Sequence, residues 1–188
     1  MKKSLFLYVF TFCIALAVIS GCVKTPNQEV MIFTDYPYYD TVEKIKKEAD
    51  IIIEGRIISA NTVLLDLTET LTDEEKKNPK LNPGGEIDIV SLPYTIYQVE
   101  IQKTYKGKVS VGDTIQFKRL GGTIGNIDYI EEDAMNIEVG GTYILFLETY
   151  SNSPASLINQ IQGIYNYGDK KIKGNSKNKL TLDIEDLG

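Results

Sequence analysis

From Ile51 onward the chain is a succession of short β-branched and aromatic runs, separated by glycine-bearing turns with no helical period between them. That succession argues against a parallel α/β sheet, which needs a helix between consecutive strands. Ile51 to Ser59 carries Gly55 in its middle. A glycine inside a strand marks a bulge or bend, and it lets one long strand serve two sheets. Across Tyr94 to Tyr105 the apolar residues alternate. Tyr97, Val99, Ile101 and Tyr105 face one way, Gln98, Glu100, Gln102 and Thr104 the other, and Lys103 is the one polar residue on the apolar side. Ile115 to Lys118 alternates again after the turn residues Lys106-Gly107 and Gly112-Asp113. Tyr143 to Leu147 is continuously apolar and is predicted to be the most buried strand. Leu157 to Tyr167, with Gly163 inside it, and Leu180 to Ile184 supply the last two. The expectation is a mainly β domain: a small antiparallel Greek-key, OB-like barrel of five to six strands, since closure removes edges that would otherwise aggregate.

One short N-terminal helix precedes the strands. Asp40 followed by Glu43 resembles a capping box, and Val42, Ile45 and Ala49 fall at helical spacing, which predicts a helix over about 41–49. Ahead of it, residues 22–40 lack sustained periodicity and are read as a tether, with Val30 to Phe33 as an added edge strand. Tyr36, Tyr38 and Tyr39 either clasp the domain's edge or form a stacking platform for a sugar or peptide; the clasp is favoured because amphipathic tyrosines commonly cover core edges. The domain is expected to span 41–188.

The first 21 residues have a different character. Lys2 and Lys3 precede a largely apolar run from Leu5 to Ile19, which is short for a membrane-spanning helix. The run ends in Ile19-Ser20-Gly21-Cys22, which resembles the lipobox of bacterial lipoproteins. That resemblance implies cleavage of a signal peptide, 1–21, and lipidation of Cys22. It places the chain on the extracytoplasmic face of the cell membrane. Loss of Lys2 and Lys3 lowers 20 basic side chains to 18 against 26 acidic ones, a net charge of −8 for the mature chain. Such a domain is repelled by nucleic acid, so no nucleic-acid partner is expected.

Histidine is absent from the sequence. Triads built on imidazole are therefore excluded. Cys13 leaves with the signal peptide and Cys22 is acylated, so no thiol remains for a disulfide, a metal or a nucleophile. No catalytic, cofactor-binding or metal-binding residue is assigned. Asp128, Glu131, Glu132 and Asp133 could supply oxygen ligands to calcium, but they lack the spacing and mid-loop glycine of a helix-loop-helix site. Glu54, Asp66, Glu100 and Glu148 could supply an acid and a base for glycoside hydrolysis, although nothing positions a pair. Gly121 to Asn126 is glycine-rich but lacks the lysine of a phosphate loop, and reads as a flexible inter-strand loop. Lys170 to Lys179 holds five lysines and reads as a solvated hairpin turn.

The segment 61–93 joins the first two barrel strands, with Val63 to Leu67 able to prolong the first, and is long for a connection, which makes it a candidate partner-binding loop. The expected function is a non-catalytic binding module for a protein or cell-envelope ligand. The alternatives are a carboxylate-based envelope hydrolase and a protease-inhibitor-like domain acting through the same loop.

Five stretches carry a family resemblance: Ala49 to Ile57, Tyr97 to Ile101, Tyr105-Lys106-Gly107, Gly112 to Ile115 and Gly140 to Leu147. Over about 50–167 the chain resembles uncharacterised lipoproteins of Gram-positive bacteria, similar in layout to the netrin-like and tissue-inhibitor-of-metalloproteinases type of OB-fold barrel. Those inhibitors chelate zinc through a free N-terminal cysteine and are stapled by disulfides. Here Cys22 is acylated and its companions are missing, so the resemblance implies the barrel and not the inhibitory mechanism.

Overall fold

The computed structural model describes residues 27–66, 91–169 and 171–188. The predicted signal peptide, Cys22 and the middle of the 61–93 loop lie outside the described residues. Among the described residues ten strands and one α-helix follow one another as β1 Gln28–Ile32, α1 Val42–Glu48, β2 Ile51–Asp66, β3 Ser91–Lys106, β4 Thr114–Leu120, β5 Gly122–Ile124, β6 Ile127–Glu131, β7 Thr142–Glu148, β8 Ala155–Leu157, β9 Ile164–Gly168 and β10 Lys171–Gly174, followed by a 3-10 turn, Ile184–Leu187. The fold is mainly β. Among the described residues no helix is long and apolar enough to cross a membrane.

A seven-stranded sheet runs β10-β9-β7-β2-β3-β4-β8, and β8 pairs additionally with β7. The ladders therefore pass from β7 through β2, β3, β4 and β8 and return to β7. A separate three-stranded sheet has the order β1-β6-β5. Two pairings, β4 with β8 and β1 with β6, are parallel. The expectation of five to six strictly antiparallel strands is corrected on both counts. The extra strands are mostly three to five residues long, too short for alternation to show, and the partner of so short a strand is set by tertiary placement.

Strand β2 is one 16-residue strand shared by two partners, as Gly55 predicted. Residues 51–56 pair with β7 while the strand pairs along its length with β3, with register shifts on either side of Gly55. A Cβ at Gly55 would lie 2.3 Å from Val99 Cγ1 and 3.2 Å from the Glu100 carbonyl oxygen, so only glycine admits this close approach. A bulge also resolves the misplaced Lys103. Gly55 pairs with Ile101 but Glu54 with Lys103, so Gln102 is skipped and the phase of the strand inverts. Lys103 is exposed, and Tyr105 packs in a different core from Tyr97, Val99 and Ile101.

There are two such cores. Tyr143, Leu145 and Leu147 join Ile53, Ile57, Val99, Phe117 and Leu157 in one core. Ile144 and Phe146 point to the other side, onto Ile45 of α1, Ala49 at its C-terminal cap, Tyr165 of β9 and Leu182 and Leu187 of the C-terminal segment. From Tyr143 to Leu147 β7 is continuously apolar because both its faces are covered there.

Ile45 of helix α1 and Ala49, its C-cap, face this second core as the spacing predicted. Its N-cap is Thr41, whose hydroxyl accepts from the Lys44 amide at 3.3 Å; Asp40 instead forms an ion pair with Lys44 at 2.8 Å. Lys106 Nζ donates to the carbonyls of Lys46 and Lys47 at 2.7 and 2.9 Å, satisfying the helix's C-terminal end.

Three further boundaries are corrected. Residues 61–62 and 91–93 of the predicted loop are paired strand, while Val63 to Asp66 prolong β2 as expected, with Asp66 opposite Ser91. The expected edge strand at Val30 to Phe33 is β1, at the edge of the smaller sheet. The predicted strand 157–167 is two short strands separated by a turn that contains Gly163, and 180–184 is not a strand. The glycine-rich stretch is no flexible loop. It forms the β5–β6 hairpin, with Gly125 at φ 62 in a two-residue turn and Gly121 and Gly122 at φ 94 and 127. A Cβ on Gly122 would strike Thr62 and Thr95 Oγ1 at 2.4 and 2.3 Å. In the lysine-rich stretch, Lys171–Gly174 is an edge strand paired with β9.

Candidate functional site

The segment 33–39 is laid across the molecule by contacts at both its ends. β1 runs beside β6, and the Glu132 amide donates to the Ile32 carbonyl at 2.9 Å. Glu131, at the end of β6, is 4% exposed. Its Oε1 accepts from Tyr36 OH at 2.5 Å and from Thr34 Oγ1 at 2.8 Å, while Arg119 Nε stands 3.8 Å from Oε2. Burial, reinforced by the hydrogen bond to Glu131 and its charge, holds the Tyr36 phenol far above its ordinary pKa. Further along, Asn159 Nδ2 donates to the Pro37 carbonyl at 2.8 Å. The buried Gln162 side chain closes a two-way pair with the Tyr39 backbone, accepting from its amide at 2.8 Å and donating to its carbonyl at 2.7 Å. Tyr36 and Tyr39, both half-buried, thus clasp the domain's edge, while Tyr38 is exposed.

Under the clasp lies a cleft of about 230 Å³. Tyr36 and Tyr39 form one side, Tyr94 of β3 and Lys118 of β4 another, and Tyr150 and Gln160 come from the segments flanking β8. Lys118 Nζ sits 4.6 Å from the centre of the Tyr150 ring and donates to Ser153 Oγ. Among the described residues no carboxylate pairs with it, and burial lowers its pKa. Glu148, also on the cleft, accepts from Tyr150 OH at 3.1 Å. Gln160 is 5% exposed, and among the described residues its Oε1 has no hydrogen-bond partner. Burial raises the phenol pKa of Tyr94 and of Tyr150. Neutral tyrosines, one ammonium and two acceptor groups therefore converge on one cavity, an arrangement suited to holding a polar ring-sized molecule.

The residues singled out from sequence are dispersed. Asp128 accepts from Asn27 at 3.1 Å and Thr123 at 2.7 Å, Glu131 faces the clasp, and Asp133 stands 3.8 Å from Lys177. Each of these acids has its own partner, and Glu132 is exposed. Of the four proposed hydrolytic carboxylates, Glu54 accepts from Tyr105 OH at 3.3 Å and Glu100 pairs with Arg56 at 2.7 Å, while Asp66 ends β2; Glu148 alone lines the cleft. Comparison with models of known protein families and with curated protein sequences returns no match. Tyr94, Lys118, Tyr150 and Gln160 were missed from sequence. They are scattered over more than sixty positions and only the ring of ladders brings them together.

Proposed function

We propose that the chain is a lipid-anchored, extracytoplasmic binding module. In this reading an OB-like β-barrel is held to the membrane through Cys22 and takes a ligand into the tyrosine-walled cleft without transforming it. The observation that carries the reading is the cleft, whose aromatic walls come from separate segments and whose few polar groups include a lysine that has no carboxylate partner among the described residues. Small-ligand sites combine apolar walls with a small number of placed polar groups in this way.

The barrel is supported by the return of the ladders to β7 through β8, since five strands joined out of chain order in this way make a closed Greek key, with β9 and β10 added outside the ring. The loop keeps a role here. Tyr94 pairs with Val63, three residues from the Asp66–Ser91 pair, so the paired stem of the 61–93 segment runs beside the cleft. The anchor is supported by the lipobox pattern. From Cys22 to Asn27 the chain reaches at most about 18 Å, which would hold the domain near the bilayer.

A photoreactive residue replacing Tyr94 in the membrane-bound chain tests the proposal. Crosslinking to an envelope component from position 94, and not from the remote Ile172, is expected. Equal crosslinking from both positions would defeat the assignment.

A further inference from the structure

Resting on the cleft as the binding site, we infer that its ligand is a sugar ring bearing an anionic substituent, a unit of an acidic glycan. Size is the first argument. A cavity of about 230 Å³ is below the range of drug-sized pockets, which begins at about 300 Å³, and takes one ring-sized unit. Shape is the second. Tyrosine rings from the clasp and from Tyr94 and Tyr150 offer flat apolar faces with hydroxyls at their rims. A pyranose has the complementary form, with C–H groups on its faces and hydroxyls around its edge.

The polar groups narrow the class further. Glu148 already accepts from Tyr150 OH, and an ionised carboxylate has about four lone-pair positions, so acceptor capacity remains. The buried Gln160 Oε1 is a second acceptor with no donor among the described residues. Two acceptors call for a ligand rich in O–H donors, and a sugar supplies several per ring whereas a peptide supplies one N–H per residue. Lys118 adds the charge. Its ammonium has three donors, one of them on Ser153, and among the described residues no carboxylate neutralises it. A carboxylate or phosphate on the ring would complete that partnership as a charge-assisted hydrogen bond.

Calorimetric titration of the intact chain in detergent micelles tests this with three probes: an oligosaccharide ending in glucuronic acid, its uncharged glucose counterpart, and an acidic peptide of equal charge. The acidic saccharide should bind at least about tenfold more tightly than the neutral one, the scale of a hydrogen bond to a charged group. Lys118→Met should remove that preference while leaving binding of the neutral sugar in place, and Lys118→Arg should keep it. Should Lys118→Met melt far below the wild type, the Arg variant and a Gln160→Glu variant carry the test, the latter weakening the acidic saccharide selectively. A preference that survives Lys118→Met in a folded protein overturns the inference. Binding of the peptide alone overturns the sugar class while leaving the cleft as a site. Binding of none of the three overturns the inference, and crosslinking from position 94 then decides whether the cleft itself stands.

Discussion

Adding one methyl group at position 55 should cost more than its size suggests. A Cβ there lies 2.3 Å from Val99 Cγ1, against the about 3.5–4.0 Å of an ordinary carbon–carbon contact. Val99 is fully buried, so it has nowhere to go without displacing its neighbours in the inner core. Overpacking of this kind costs about 1–3 kcal/mol. A loss of about 2 kcal/mol lowers Tm by about 4–8 °C in a chain of this size. The partner substitution sharpens the test. Val99→Ala removes the clashing atom and, alone, leaves a cavity costing about 1–3 kcal/mol. In the double variant the methyl at 55 enters that cavity, so the two losses should fall short of their sum by about 1–2 kcal/mol. Urea unfolding of the four proteins, with unchanged m-values, reads this directly. Additivity within about 0.5 kcal/mol would refute the claim that Gly55 is required by its approach to β3.

Four further outcomes are expected. Tyr36→Phe removes one of the two hydroxyl donors to the buried Glu131 and should cost about 1–3 kcal/mol, with faster hydrogen exchange of the Glu132 amide; unchanged stability and exchange would separate the clasp from Glu131. Asp50 accepts from the Thr149 amide and hydroxyl at 2.8 and 2.9 Å, and these bonds hold its pKa below the ordinary value. Because the folded pKa is depressed, its stabilising contribution is complete above the unfolded value of about 3.9 and disappears as pH falls through the folded one. The urea midpoint of Asp50→Asn should therefore trail the wild type at about pH 6 and converge with it in acid. The Tyr105 phenol is pushed up to about 12, by burial first and the Glu54 carboxylate second, so Glu54→Gln should lower its midpoint in ultraviolet titration. Cys22→Ala should release the protein from membranes on fractionation; continued attachment would contradict the anchor.

What the sequence disclosed follows from range. The burial of Tyr143 to Leu147, the bend at Gly55 and the apolar face of α1 depend on neighbours within a few residues, and periodicity reports them. The bulge that skips Gln102 left its trace as Lys103 on the wrong face, a sign that the strand changes phase. Strands β5 and β8 are three residues long and left no trace of alternation. The cleft was legible only in Tyr36, Tyr39 and Glu148. Lys118 read as an ordinary outward residue of an alternating strand, and Gln160 sits in a polar turn whose burial is due to the clasp above it. Convergence of residues from four segments is a property of topology and has no local signature.

Hydrogen exchange of the intact chain with and without envelope extract tests the central claim most directly. The account predicts slower exchange in 34–39 and 156–160 and around Tyr94 and Lys118, with β10 and α1 unchanged. Protection confined to β10 and α1, or no protection at saturating extract, would contradict it.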